Sequence, residues 1–306
     1  MATCAAAVVM TVVGAGAATA RPVPGMRPDD PPGTTRVATP ATANPLASPT
    51  APDPTAVPEP GPAGSKPLPE PKPSATPIGY DVSWPQCGDT LPTGQAFAIV
   101  GVTGGLANNT NPCLAEQLAW AATSTGGTGQ PLVALYVNTA NPGLLGSWWP
   151  TSNTYAGTAI ANPYGTCEGA NDVACAYVYG WAKAFDDVTL RGVENPAQYL
   201  WWLDVETDNT WQDDTVANAA DLEGMTAYFE SIGARVGLYS MGSQWSQIVG
   251  TVGPESNLYD LPSWLAGART LSGARSNCSL PPLTAGGTVS LTQYVAKNLD
   301  HNYSCV

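Results

Sequence analysis

Trp201-Trp202-Leu203-Asp204-Val205-Glu206 is a run of aromatic and aliphatic side chains that ends in two carboxylates one residue apart. A short apolar run of this kind predicts a buried strand. Side chains at i and i+2 of a strand share a face, so Asp204 and Glu206 project together, about 7 Å apart at about 3.3 Å rise per residue. Like charges held close push their pKa values apart, so that one acid is protonated while the other is ionised. Cleaving a glycosidic bond requires such a pair. The competing reading of the same fragment is a strand that runs into an acidic, solvent-facing turn.

Outward from this stretch, apolar runs rich in β-branched and aromatic residues alternate with helical patterns. Strands are predicted over 78–83, 97–103, 131–138, 199–206, 235–240, 264–267 and 289–294. Helical spacing places Leu114, Leu118 and Ala121 on one face of 113–122, and Tyr177, Trp181 and Ala184 on one face of 173–185. Leu222, Met225, Phe229 and Ile232 do the same in 215–232, which ends at Gly233 as a C-cap. Seven or eight strands alternating with helices predict an α/β fold, a single β/α barrel that is TIM-like or an irregular variant. A doubly wound open sheet competes, but no Gly-rich phosphate loop follows the first strand. In a barrel, the residues at the C-terminal strand ends converge on one mouth. Here these are Asp81, Thr103, Asn138, Asp204, Glu206, Ser240 and Gln293.

The regions flanking the domain are of a different kind. An apolar run over 5–18 precedes the small-x-small site Ala18-Thr19-Ala20, which predicts an export signal over 1–20, although no Lys or Arg comes before it. The run is short for a membrane span, so no stable span is expected after cleavage. Residues 21–77 contain 18 of the 30 prolines and no aromatic residue, the composition of a disordered, extended spacer. Residues 78–306 hold all 10 Trp, 12 Tyr and 3 Phe, enough for one domain with a large core. Five basic and five acidic side chains lie before residue 78, which leaves six against nineteen in the domain and so the whole net charge of −13. That balance argues against nucleic acid as a partner and is compatible with a neutral or amino-sugar polymer. The expected product is a secreted protein, extracellular or cell-wall associated and monomeric.

Cys87, Cys113, Cys167, Cys175, Cys278 and Cys305 form an even set in an exported chain, which suggests disulfides. Several pairings are open; proximity favours 87 with 113, 167 with 175 and 278 with 305. With no C-x-x-C pair and His301 the single histidine, neither a metal site nor a cofactor is expected, and a Ser-His-Asp triad has little support. Asp208, Asp213 and Asp214 fit a solvated turn better than a calcium loop. Asn108-Asn109-Thr110 and Asn302-Tyr303-Ser304 match the glycosylation pattern, and His301 reads as a C-terminal loop residue.

Several motifs, in order, resemble the family 25 glycoside hydrolases, the Chalaropsis-type lysozymes. Gly79-Tyr80-Asp81-Val82-Ser83-Trp84-Pro85-Gln86 is similar to that family's opening D-V-S-x-x-Q strand, and Leu203-Asp204-Val205-Glu206 to its L-D-x-E strand. Gly237-Leu238-Tyr239-Ser240, Trp264-Leu265-Ala266 and Thr292-Gln293-Tyr294 resemble its later strands. The resemblance implies an irregular β/α barrel that hydrolyses the bond between N-acetylmuramic acid and N-acetylglucosamine in peptidoglycan. It implies Glu206 as general acid, Asp204 as the residue that orients the substrate's N-acetyl group, and Asp81 as their support from the first strand. Asp300 matches the aspartate expected after the final strand. Asn138 and Gln293 join as substrate-binding candidates, with Trp201, Trp202 and Tyr239 as stacking faces, against the competing reading of strand aromatics as core. The chain departs from the family at Gly101-Val102-Thr103-Gly104-Gly105, which lacks a basic and an acidic side chain found there, and in its 141–175 insert. These departures keep open a catalytically inactive cell-wall or polysaccharide-binding module on the same barrel.

Overall fold

Along Leu200–Asp204 (β6), Trp201 and Leu203 point outward into the helical layer, whereas Leu200, Trp202 and Asp204 point into the interior of a closed barrel. The computed structural model describes residues 76–306; the expected signal and nearly all of the Pro-rich segment lie outside them. The other barrel strands are Gly79–Val82 (β1), Ala98–Gly101 (β2), Val133–Asn138 (β3), Arg235–Ser240 (β7), Ser263–Ala268 (β8), Val289–Ala296 (β9) and Leu299–Ser304 (β10). Their order around the barrel is β1-β10-β9-β8-β7-β6-β3-β2. The pairs from β1 through β9 are parallel, while β10 runs antiparallel to both β9 and β1.

The barrel is therefore irregular. Only a short 3-10 turn, Trp84–Gln86, and no α-helix separates β1 from β2, the β8/β9 register shifts, and a β-hairpin supplies the closing strand. All seven predicted strands are present; β10 is additional. It follows a turn in which Lys297 and Asn298 both have positive φ, as a tight two-residue hairpin requires. His301 is accordingly not a loop residue: it lies on β10 between the rings of Tyr80 and Tyr294.

Among the described residues, three of the five α-helices match the expected segments: Leu114–Ala121 (α1), Val173–Thr189 (α2) and Thr215–Ser231 (α3). Gly233 has φ +81°, as a helix C-terminus favours. Two short helices were not anticipated, Gly242–Ile248 (α4) and Leu271–Asn277 (α5). Asp214 caps α3 by accepting from the backbone N–H groups of Val216 and Ala217, so its place in the acidic turn is structural. Within the 141–175 insert, Thr154–Tyr155 (β4) and Thr158–Ala159 (β5) form a small antiparallel ribbon.

The barrel interior is filled by large rings set against glycines. A Cβ on Gly79 would lie 2.2 Å from the Phe97 ring, and one on Gly237 would lie 2.4 Å from the Trp202 ring. Three disulfides tie the periphery down. Cys87–Cys113 joins the β1–β2 connection to the start of α1, Cys167–Cys175 holds the insert to α2, and Cys278–Cys305 links the end of α5 to the end of β10. These are the pairings that sequence proximity favours.

Candidate active site

The inward strand parity that buries Trp202 sets Asp204 one layer above it, at the C-terminal mouth. Two adjoining cavities of about 180 and 200 Å³ open there. Asp81, Tyr136, Asp204, Glu206 and Asp300 line both; Tyr239, Trp264 and Gln293 line the first, and Asn138 and Trp84 the second. Two larger clefts of about 590 Å³ flank α3 and α4, but neither collects the strand-end residues. Four acids thus share one mouth, and neither of its cavities is lined by Lys or Arg.

Asp204 is buried. Its Oδ2 accepts a hydrogen bond of 2.7 Å from Asn138 Nδ2, while Oδ1 has no partner. Burial pushes its pKa well above the usual carboxylate range, Glu206 adds to the rise, and Asn138 opposes it. Glu206 lies just past the strand end and is half-buried. Its pKa is also raised, first by burial and then by Asp208, with the Tyr239 hydroxyl holding it back. The same hydroxyl donates to Gln293 Oε1 at 2.9 Å, so its one proton serves Gln293 or Glu206 at a time.

Asp81 is gripped by three donated hydrogen bonds: from Asn302 Nδ2 at 2.6 Å to Oδ1, and from Gln293 Nε2 at 3.2 Å to each oxygen. Its neighbour across the β1/β10 ladder is Asp300. Burial raises the Asp81 pKa to about 8, with the Asp300 charge as second cause and the two amides acting against both. Asp300 is itself raised by burial, with His301 pulling it down.

The predicted site residues divide as follows. Asp81, Asn138, Asp204, Glu206, Tyr239, Gln293 and Asp300 meet at the mouth. Trp202 does not: it is 0% exposed, edge-on to Trp264 in the barrel core, and offers no face to a sugar. Trp201 is likewise buried, stacked on Phe229. Ser240 is buried too, its hydroxyl donating to Val205 O. Asn302 is fully buried against Asp81, so its glycosylation pattern is inaccessible in the folded chain. The sequence reading missed Asn302, Tyr136 and Trp84 as site residues. Tyr136 and Ser83 together leave no room for a side chain at Gly101, since a Cβ there would stand 2.6 Å from the Tyr136 ring and 2.6 Å from Ser83 Cβ. Trp84, 36% exposed and packed on Gly105, is the aromatic that the mouth presents to solvent. Its only sequence signal was its place three residues after Asp81.

Among the described residues no group of His, Cys, Asp and Glu is arranged to hold a metal ion, and no helix is long and apolar enough to cross a membrane.

Residues 189–273, from before β6 into α5, match the family model for Lysozyme-like protein 1, Lys-1. A Dictyostelium discoideum protein named "Probable GH family 25 lysozyme 4" is 40% identical over 67 residues, or 21% of this chain and 29% of the relative. The match therefore spans under a third of that relative's length. Among solved structures, the muramidase of Acremonium alcalophilum is similar with a TM-score of 0.49 and 17% identity, covering 74% of this chain and 93% of its own. The lysozyme of Streptomyces coelicolor gives a TM-score of 0.47 and 17% identity, with 76% and 93% covered. The family-model match includes the strand that bears the paired acids.

Proposed function

We propose that the chain is a secreted, lysozyme-like glycosidase that cleaves peptidoglycan or a related amino-sugar polysaccharide. In this reading residues 78–306 are the catalytic domain, 21–77 a spacer and 1–20 an export signal. The observation that carries it is the pairing of a deep acid with a shallower one at one barrel mouth. Glu206, half-exposed and with a pKa raised by burial and by Asp208, is placed to give a proton to the leaving oxygen. Asp204, deeper and held by Asn138, lines both cavities at the mouth and takes the role of orienting an N-acetyl group. Asp81 and Asp300 support them from β1 and β10, and Trp84 takes the stacking role first given to Trp202.

The test is release of reducing ends from purified peptidoglycan by the full chain beside Glu206→Gln. Turnover that falls by about 10²–10⁴-fold in the variant fits loss of a general acid. Absence of turnover in both, with retained pelleting on cell walls, favours the non-catalytic binding module. That second reading draws on the glycines at 101 and 104, where relatives carry charged side chains.

A further inference from the structure

Asp204 owes its orientation to a residue that does not touch it. Thr103 is fully buried just beyond β2, and its Oγ accepts the backbone N–H of Asn138 at 3.0 Å. That contact occupies the oxygen as an acceptor, and its own proton is donated to Asn138 Oδ1 at 2.8 Å. An asparagine amide has a donor end and an acceptor end, so fixing Oδ1 on Thr103 turns Nδ2 the other way. Nδ2 meets Asp204 Oδ2 at 2.7 Å, and Thr139 Oγ1 anchors the backbone carbonyl of Asp204 at 2.6 Å. One carboxylate oxygen is thereby held and the other, Oδ1, is left buried without a partner.

We infer that Thr103 is a positioning residue, setting through the Asn138 amide which oxygen of Asp204 is engaged and which is left without a hydrogen-bond partner. The inference concerns the same site as the proposed glycosidase and rests on that reading for its consequence in turnover. Its physical core, a relay of amide orientation, does not. Without the Thr103 hydroxyl the Asn138 amide is free to rotate, and presenting Oδ1 to Asp204 favours the protonated acid. The other charged groups facing Asp204 are Glu206 beside it, Asp81 from β1 and Asp208 from the following loop, all acidic. None of them donates a hydrogen bond to the Asp204 carboxyl, whose donor is Asn138 Nδ2.

The experiment follows the Asp204 side-chain carboxyl by ¹³C NMR titration of the full chain, in wild type, T103V, T103S, N138A and the double variant T103V/N138A. The relay predicts that the Asp204 midpoint rises by about one pH unit in T103V, the size of one hydrogen bond to a charged acceptor. N138A should produce a similar rise, the double variant no more than N138A alone, and T103S the wild-type midpoint. A T103V midpoint that stays in place while N138A shifts, or shifts that add in the double variant, overturns the inference. T103S keeps the test decisive if the valine variant folds poorly, because failure of the hydroxyl-bearing variant to keep the midpoint also overturns it. The titration needs no substrate, so a wild-type chain without turnover counts against the proposed function and not against the relay.

Discussion

Replacing Asp300 by Asn should flatten the loss of stability with pH. Asp81 and Asp300 face each other across the β1/β10 ladder, where directly opposed Cβ atoms lie about 5 Å apart. Two charges at that distance repel by about 3 kcal/mol at an effective dielectric constant of about 20. The folded chain avoids that cost by keeping a proton on the pair. The Asp81 pKa therefore rises from 3.8 to about 8, with burial the larger cause. Between those values folded Asp81 holds a proton that unfolded Asp81 has released, so stability falls as pH climbs through the window. D300N removes the repulsion and leaves the burial. Between pH 5 and pH 8 it should lose about 2–3 kcal/mol less stability than wild type, or about 5–10 °C less in Tm for a domain of this size. The assay is thermal unfolding of both proteins, disulfides intact, at the two pH values and one ionic strength. Equal Tm losses in wild type and variant would refute the reasoning, because they would mean that the cross-strand pair does not share a proton.

Further expectations follow from the same geometry. If Glu206 is the proton donor, turnover falls as pH rises through its raised pKa; Tyr239→Phe removes the hydroxyl that restrains that pKa, and the basic limb of the pH–rate profile should move upward. A limb that stays in place would show that Tyr239 does not reach Glu206. Trp202→Ala should cost about 3–5 kcal/mol as a core truncation, seen as a lowered denaturant midpoint. Breaking Cys278–Cys305 by paired serine substitution frees α5 from the strand that bears Asp300 and should cost about 2–4 kcal/mol, read by thermal unfolding without reductant.

Much of the site was legible because strands have a period of two. Asp204 and Glu206 declared a shared face, and the polar residues at the predicted strand ends pointed to one mouth. The same parity argument bears on Trp202, which shares the inward face of Asp204 but sits one layer deeper, in the core rather than beside the substrate. β10 escaped notice because Leu299-Asp300-His301-Asn302-Tyr303-Ser304 shows no apolar alternation, and Lys297-Asn298 lacks the glycine that marks most tight hairpins. α4 and α5, seven residues each, are too short to display a helical period.

The sequence by itself determined the parallel strand series, the three long helices, the even set of six cysteines and the pair of acids on β6, since each is encoded by composition or by local spacing along the chain. Only the tertiary structure decided that the barrel closes through an antiparallel strand, which places Asp300 opposite Asp81. Closure also brings Asn302 onto a carboxylate 221 residues away, and a ring from β3 takes the space above Gly101. These contacts depend on strand register around a closed barrel, a global property that no local window of sequence contains.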